Sequence, residues 1–530
     1  MGRKVIDPKL FARIDRARAR ADRAALSAMR GGFHERKPFK WTRPKLTPEQ
    51  VKKAATLQER SVLNRFVDTS FNPENEKGDL LLASFKVTPP KGESLEEAAN
   101  HVTLESSTGT WTDVQTETSY TLGLAGTVYH MEPEVEGRAG HVKVAYPIAL
   151  FEPGSISQLL SCIGGNIMAM KAVDRIKLMD FSMPRSYLRT FPGPRFGVAG
   201  IRRVSNVRGH TLVGTIVKPK TGLFPDEYAE ALYNTFRYCC VVKDDENLSD
   251  QSFNPFHLRA LLCYRKIRQI ERENAKKGIH EKKIYLPNVT TTDTVESLAR
   301  AYYVHDLGAR SAMVDIITTG FSTVQALRNF GPPIIWHGHR AMHASFARVP
   351  DHGIDMMAIA KCSRMAGIDE LHIGTVVGKM EGEAHEILNY VDALRQDRYV
   401  PGNYGDGKDE PYQWFLPQDW YGMKPVMPVN SGGLYPKHLI RLKELFGTDT
   451  VTTMGGGIHS YGTVDGAWVA RLAAEAAAKG YDLPAVREDY HNICKKIKFD
   501  YVKPEEEAFP LLDRVIGGKD WKAMAFSKNK

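Results

Sequence analysis

The sequence predicts an α/β protein, an N-terminal α+β domain followed by a (β/α)8 TIM barrel. Three observations predict it. From Leu212 onward, apolar strands alternate with helical segments in eight β-then-α units, the count and order of a parallel barrel. Before that, residues 79–170 hold several strands with few helices between them, the pattern of a mostly antiparallel sheet. Polar and glycine clusters also fall at the C-terminal ends of seven of the eight barrel strands, where such barrels carry their active sites. A doubly wound open sheet competes with this reading, but no GxGxxG follows the first strand.

Residues 1–60 read as a basic N-terminal extension and linker. Positions 8–31 form an Arg- and Ala-rich helix stopped by Gly31-Gly32, Pro38–Pro48 is a linker, and Thr47-Pro48-Glu49-Gln50 starts a new helix. Residues 1–46 carry fourteen Lys/Arg against four acids, a surplus equal to the net charge of +10 of the whole chain. The basic balance therefore belongs to the arm, and it is weak ground for a nucleic-acid-binding body. The arm suits an acidic partner or a neighbouring subunit. Organelle targeting is the alternative, disfavoured by the acids and the scarcity of Ser.

Residues 61–195 are the α+β domain. Asp79–Val87, Gly123–His130, Gly140–Tyr146 and Ala149–Phe151 read as strands, and Ser94–His101 as a helix. Ile156–Ile163 and Asn166–Met170 are short apolar segments. Residues 196–500 are the barrel, and 501–530 a C-terminal tail. The barrel strands are expected at Leu212–Lys218, Cys239–Lys243, Lys283–Asn288, Ala312–Ile317, Pro333–His339, Glu370–Val376, Lys424–Val429 and Val451–Met454. No apolar run is long enough to span a membrane, and the start lacks a secretory core. The six cysteines include no CxxC pair and look like reduced core residues of a cytoplasmic protein.

Candidate chemistry gathers at the strand ends. Strand 1 ends in Lys218-Pro-Lys220, strand 2 in Lys243-Asp-Asp-Glu246, strand 3 in Asn288, and strand 5 in His337-Gly-His-Arg-Ala-Met-His343. Strand 6 carries His372 and runs into Gly374–Lys379, strand 7 ends in Ser431-Gly432-Gly433, and strand 8 in Gly455-Gly456-Gly457. Strand periodicity puts Lys243 and Asp245 on one face and Asp244 on the other; Glu246 joins them if the chain bends. A solvated acidic turn is the plain alternative. Oxygen ligands at a barrel mouth suit Mg²⁺. The glycine loops after strands 7 and 8 suit a phosphate, and Arg340 with His372 a second anion. Two anion sites flanking a metal suggest a sugar bisphosphate, with Lys218, Lys220 and His339 as proton-transfer groups. Lys243 could ligate metal only as a carbamate formed with CO₂, which would make it a third oxygen ligand.

These blocks, with Glu105–Trp111 and Gly165-Asn166, resemble the large subunit of ribulose-1,5-bisphosphate carboxylase/oxygenase (Rubisco) from about Arg65 to Asp500. The resemblance implies carboxylation of ribulose 1,5-bisphosphate by CO₂ to 3-phosphoglycerate, with O₂ competing. It makes Lys243 the carbamylated ligand and base, with Asp245 and Glu246 as the other Mg²⁺ ligands. Lys218 becomes an acid/base supported by Lys220, and His339 an aid to proton transfer. Lys379 would close over the site on its loop. Glu105, Thr110, Trp111 and Asn166 would reach the barrel of a second subunit. Thr110, Trp111, Lys379, Gly433, Gly455 and Gly456 would hold one phosphate, with Gly432 in the same loop; Arg340, His372 and Ser431 would hold the other. A homodimer or dimer-based oligomer without small subunits is implied.

The subtype is mixed. Gly214–Lys220, Trp420–Lys424 and Thr453 look like form II, and Leu371–Glu381 and Arg340–His343 like archaeal or form II/III enzymes. Trp111 stands where form II usually has Asn, and the arm has no counterpart. A Rubisco-like enolase or isomerase that fixes no CO₂ is the nearest alternative. A tethering role for the arm could coexist with catalysis.

Overall fold

The computed structural model describes residues 8–31, 44–60, 64–76, 79–109, 114–134, 138–377, 383–402, 404 and 411–518. Helix α1 (Pro8–Gly31) buries Ile14, Ala17, Ala21 and Ala25 at three- and four-residue spacing. That is a narrow stripe of mostly small side chains, which lets a helix lie close to its neighbour. The neighbour is the chain's own barrel: Ile14 packs with Leu258 and Leu261, and the helix runs along Thr294–Asp306. The first helix, expected as an arm for a partner or a neighbouring subunit, is half-buried on its own barrel. Arg13, Arg16, Arg18, Arg20 and Arg23 face outward. Helix α2 (Pro48–Glu59) begins on the expected capping box between Thr47 and Gln50.

The N-terminal domain follows as β1 (Leu80–Thr88), α3 (Leu95–Glu105), β2 (Thr127–Pro133), β3 (Gly140–Pro147), α4 (Ile156–Ile163) and β4 (Arg175–Ser182). The sheet order is β4-β1-β3-β2, all antiparallel. Three local expectations change. Residues 123–126 are not strand; a short helix, Ser119–Gly123, precedes β2. Ile148–Leu150 is a 3-10 turn instead of a strand. Strand β4 was not foreseen, because its Lys177 and Asp180 break the apolar pattern. Both are buried and paired, Lys177 with Asp355 at 3.4 Å and Asp180 with Lys361 at 2.8 Å.

Helix α5 (Gly197–Ser205), also unforeseen, leads into the barrel. The barrel runs β5 (Leu212–Ile216), α6 (Pro225–Phe236), β6 (Val241–Lys243), α7 (Phe256–Ala275), β7 (Ile284–Leu286), α8 (Thr294–Asp306), β8 (Ser311–Asp315), α9 (Phe321–Phe330) and β9 (Ile335–His339). It continues with β10 (Gly353–Ile354), α10 (Met356–Ala366), β11 (Glu370–His372), α11 (Ala384–Arg395), β12 (Met427–Ser431), α12 (Leu439–Phe446), β13 (Val451–Thr453), α13 (Gly455–His459) and α14 (Thr463–Ala478). Eight parallel strands pair in the order β7-β6-β5-β13-β12-β11-β9-β8. A bridge between Asn288 and Met313 joins the two ends.

One apolar cluster links Ile201 and Val207 to Leu212, Val241, Ile284, Ile335, Met427 and Val451, the last six being the first residues of their strands. It plugs the N-terminal end of the barrel and leaves the C-terminal end for chemistry. The two-residue strand β10 leaves the barrel and pairs with β4 in parallel, so the two domains share a sheet edge. The stretch after residue 500, expected as a tail, holds α15 (Glu505–Ile516), which buries Ala508, Leu512 and Val515.

Candidate active site

A cavity of 530 Å³ opens at the C-terminal ends of the barrel strands. Lys218, Lys243, Asp245, Glu246, His339, Arg340, His372, Ser431, Gly432, Gly433, Gly455 and Gly456 all line it, so the structure gathers most of the expected site residues. Lys220, two residues beyond Lys218, is exposed and does not line it. Glu105 and Asn166 lie together on the N-terminal domain, with the Asn166 amide donating to Glu105 Oε1 at 3.4 Å, and they also stand outside this cavity. Thr110, Trp111 and Lys379 fall outside the described residues.

The strand-2 end is wired as alternation predicts. Asp244 points away from the cavity and is fully buried. It accepts from Tyr228 at 2.7 Å, Tyr285 at 2.8 Å and Arg259 at 3.2 Å. It anchors the turn to the surrounding helices. Lys243 ends β6 with its side chain 1% exposed, and its Nζ donates to Asp244 O at 2.8 Å and to Glu246 Oε2 at 3.3 Å.

Asp245 accepts from Lys218 at 2.9 Å and from the Asn247 side chain at 3.0 Å. Burial works against its charge, but these hydrogen bonds outweigh it and hold the carboxyl below its ordinary range. Glu246 is likewise held low: burial opposes the charge, and Lys243 and His339 overcome it. Two ionised carboxylates and a lysine amine thus converge on one point. A carboxylate pair supplies hard oxygen donors of the kind Mg²⁺ takes. The donor set fits that ion when the Lys243 nitrogen also carries an oxygen donor.

Across the mouth, His339 Nδ1 lies 2.9 Å from Asp315 Oδ1 and 3.2 Å from the Ala341 backbone nitrogen, and its Nε2 lies 3.5 Å from Glu246 Oε2. Asp315 ends β8, the one strand whose end looked chemically bare. Its only signal was a single acid inside the apolar run Ala312–Ile317. Behind His339 sits a buried chain through His337 and His372 whose far end, Glu370, sequence reasoning missed. Burial, reinforced by Asp369, pushes the Glu370 carboxyl up to about 8. Protonated, it donates to His337 Nδ1 at 2.8 Å, and His337 Nε2–H donates in turn to His372 Nε2 at 2.9 Å. Burial also drives both imidazoles well below their ordinary range, so both stay neutral. This leaves the His372 proton on Nδ1.

Glycine is required where backbone must crowd the cavity. Gly432 and Gly433 have φ of +112° and +70° after β12, conformations that side chains with a Cβ avoid. A Cβ on Gly455 would lie 2.8 Å from Lys218 Cε. Arg340 stays buried behind the mouth, and burial lowers its pKa to about 10, which still leaves it cationic at neutral pH.

Profiles of two protein families match the chain. "Ribulose bisphosphate carboxylase large chain, N-terminal domain" covers residues 65–187, and "Ribulose bisphosphate carboxylase large chain, catalytic domain" covers 197–499. The chain belongs to the ribulose bisphosphate carboxylase large-chain family. Among the family's members, the ribulose bisphosphate carboxylase of Methanosarcina mazei is 42% identical over 439 residues, covering 82% of this chain and 97% of the relative. That of Methanocaldococcus jannaschii is 38% identical over 441 residues, covering 82% and 99%.

Two solved family structures agree in fold. The dimeric archaeal Rubisco from Hyperthermus butylicus superposes with a TM-score of 0.73 at 35% identity, covering 83% of this chain and 100% of that one. The octameric Rubisco from Pyrococcus horikoshii gives 0.72 at 34% identity, covering 91% and 100%. These relatives are archaeal, in keeping with the archaeal-type motifs at Arg340–His343 and Leu371–Glu381. Residues 1–64 precede both matched family segments.

Proposed function

We propose that this chain carboxylates ribulose 1,5-bisphosphate to two molecules of 3-phosphoglycerate, with O₂ as a competing reactant at the same site. The carrying observation is the convergence of Lys218, Lys243, Asp245, Glu246 and His339 on one cavity of a chain in the carboxylase family.

Activation begins at Lys243. Its neutral amine attacks the carbon of CO₂, the nitrogen loses a proton to solvent, and the carbamate supplies an anionic oxygen beside Asp245 and Glu246. These three residues would hold Mg²⁺, which polarises the substrate carbonyl and makes the adjacent C–H more acidic. The carbamate of Lys243 would take that proton. His339 would move a proton at C3, its ring held in place by Asp315. Lys218 would deliver the last proton to the product carbanion.

The cavity's two anion-binding ends, Gly432–Gly433 with Gly455–Gly456 and Arg340 with His372 and Ser431, would hold the two phosphates. Lys379, Thr110 and Trp111 keep their family-derived roles as part of this proposal, as does Lys220 in support of Lys218. The domain division at about residues 60, 195 and 500 belongs to the same reading.

Glu105 and Asn166 stand away from their own cavity, which supports a site completed by a second copy. The dimeric and octameric relatives support the same arrangement. Among the described residues, no helix is long and apolar enough to cross a membrane, and all six cysteines are free. Both fit a cytoplasmic enzyme.

The test is ¹⁴CO₂ incorporation from ribulose 1,5-bisphosphate. Labelled 3-phosphoglycerate is expected, and its absence would overturn the carboxylase reading in favour of a sugar-phosphate enolase or isomerase. With Mg²⁺ and a tight bisphosphate analogue, ¹⁴CO₂ should be retained by the wild type and lost in Lys243→Ala.

A further inference from the structure

We propose that His130, Glu132 and His141 form a binding site for a divalent transition-metal ion of the Zn²⁺ class, separate from the barrel mouth. None of the three lines the barrel cavity. Among the described residues, they form the one group of three His, Cys, Asp or Glu side chains whose ligand atoms all lie within 4.8 Å of one another.

The sheet places them. His130 and Glu132 are two apart on β2 and so share a face. On β3, His141 is the direct cross-strand partner of Glu132. His130 Nε2 lies 3.7 Å from Glu132 Oε2. Zn²⁺ holds nitrogen and oxygen ligands about 2.0–2.2 Å away, which sets neighbouring ligand atoms about 3.4 Å apart in a tetrahedral site. The remaining closure falls to the mobile pair, since the side chains of His130 and Glu132 are 39% and 62% exposed.

His141 is the fixed member. It is buried, its Nε2 meets Ser84 Oγ at 2.9 Å, and its ring packs against Trp414 with centroids 4.2 Å apart. A hydrogen bond on one ring nitrogen orients a metal-binding imidazole and leaves the other nitrogen as ligand. Burial, then Lys143, lowers the His130 pKa, and the same two causes lower His141 to about 2.

The charges facing the site are mixed. Lys143 sits opposite His130 on β3 and competes with a cation; burial lowers its pKa and Glu132 works against that shift. Lys86 on β1 is engaged by Glu134. Two imidazoles and one carboxylate select Zn²⁺-like ions over Mg²⁺, and the exposed side leaves a position for water. Trp414 lies between β11 and β12, on the barrel side, so a bound ion would brace the β2–β3 hairpin against the barrel.

The test uses the full chain, freed of transition metals and saturated with Mg²⁺ and bicarbonate so that the barrel mouth is engaged. It is then titrated with Co²⁺ alone. One Co²⁺ per chain with visible d–d absorption, displaced by Zn²⁺, is expected. His130→Asn and Glu132→Gln, both at exposed side chains, should each weaken binding at least tenfold while ¹⁴CO₂ fixation is unchanged. Ser84→Ala should weaken it about 10–100-fold. Absence of the band, its survival in His130→Asn, or its loss only in Asp245→Asn would overturn the proposal. Circular dichroism of each variant checks that its fold is intact.

Discussion

At the residue scale, the site runs on paired groups, not lone ones. Asp315 holds the His339 ring in place, with Nδ1 2.9 Å from Asp315 Oδ1 and Nε2 toward Glu246. Asp315→Asn keeps the size but offers an amide in place of a carboxylate. We expect kcat to fall about 10²-fold, the lower end of what a positioned acid/base contributes, with little change in KM. Steady-state kinetics read that split, and equal changes in kcat and KM would refute it.

Glu370 makes a second prediction. Unfolded, its carboxyl ionises above the ordinary value of 4.5, whereas in the fold it keeps its proton until about 8. Unfolding in that window releases a proton, so this group makes stability fall as pH rises. Glu370→Gln mimics the protonated acid and can still donate to His337 Nδ1. Its guanidinium midpoint should exceed the wild type's at pH 8, with the gap closing toward pH 5.

At the element scale, β4 shows how polar residues conceal a buried strand. Asp180 accepts from Lys361 of α10 at 2.8 Å and from the Leu416 backbone at 2.7 Å, and all three groups are buried. Lys361 also donates to Phe181 O and Leu416 O. The N-terminal sheet is thereby fastened to a barrel helix by a fully buried ion pair. Asp180→Ala would strand the lysine charge and should cost about 3–5 kcal/mol, measured by chemical denaturation. A loss below 1 kcal/mol would show that Lys361 finds another partner or gives up its proton.

The same elements show what could be read ahead of the structure. The barrel strands were legible because each is a short apolar run closed by polar or glycine residues. β4 was not, because its charges are satisfied by residues far away in sequence. Helix α5 was not, because its Gly197 and Gly200 weaken a helical pattern that packing against the barrel floor restores.

At the scale of the whole molecule, the separation of Glu105 and Asn166 from their own barrel cavity implies that active sites are shared between copies. Lys243→Ala removes the barrel half of a site, and Glu105→Gln the N-terminal half. Each should be inactive alone. Mixed dimers would contain one site with both lesions and one with neither, so randomly reassorted subunits should recover about a quarter of wild-type activity. No recovery after refolding the mixture would place each site within one chain. The arm is a whole-molecule feature too: α1 lies on the outside of the barrel with its arginines outward.

The sequence alone determined the barrel, its register of strand ends, and the lysines, acids, histidines and glycines that line the mouth. These follow from local rules, strand period and turn chemistry, which act over a few residues. Only the tertiary structure decided how those groups are coupled. It set Asp315 behind His339, a protonated Glu370 behind His337, and Lys218 on Asp245. It turned the arm onto its own barrel and brought His130, Glu132 and His141 together across two strands. Burial and pairing depend on which distant residues meet, and a single chain's local pattern carries no record of that.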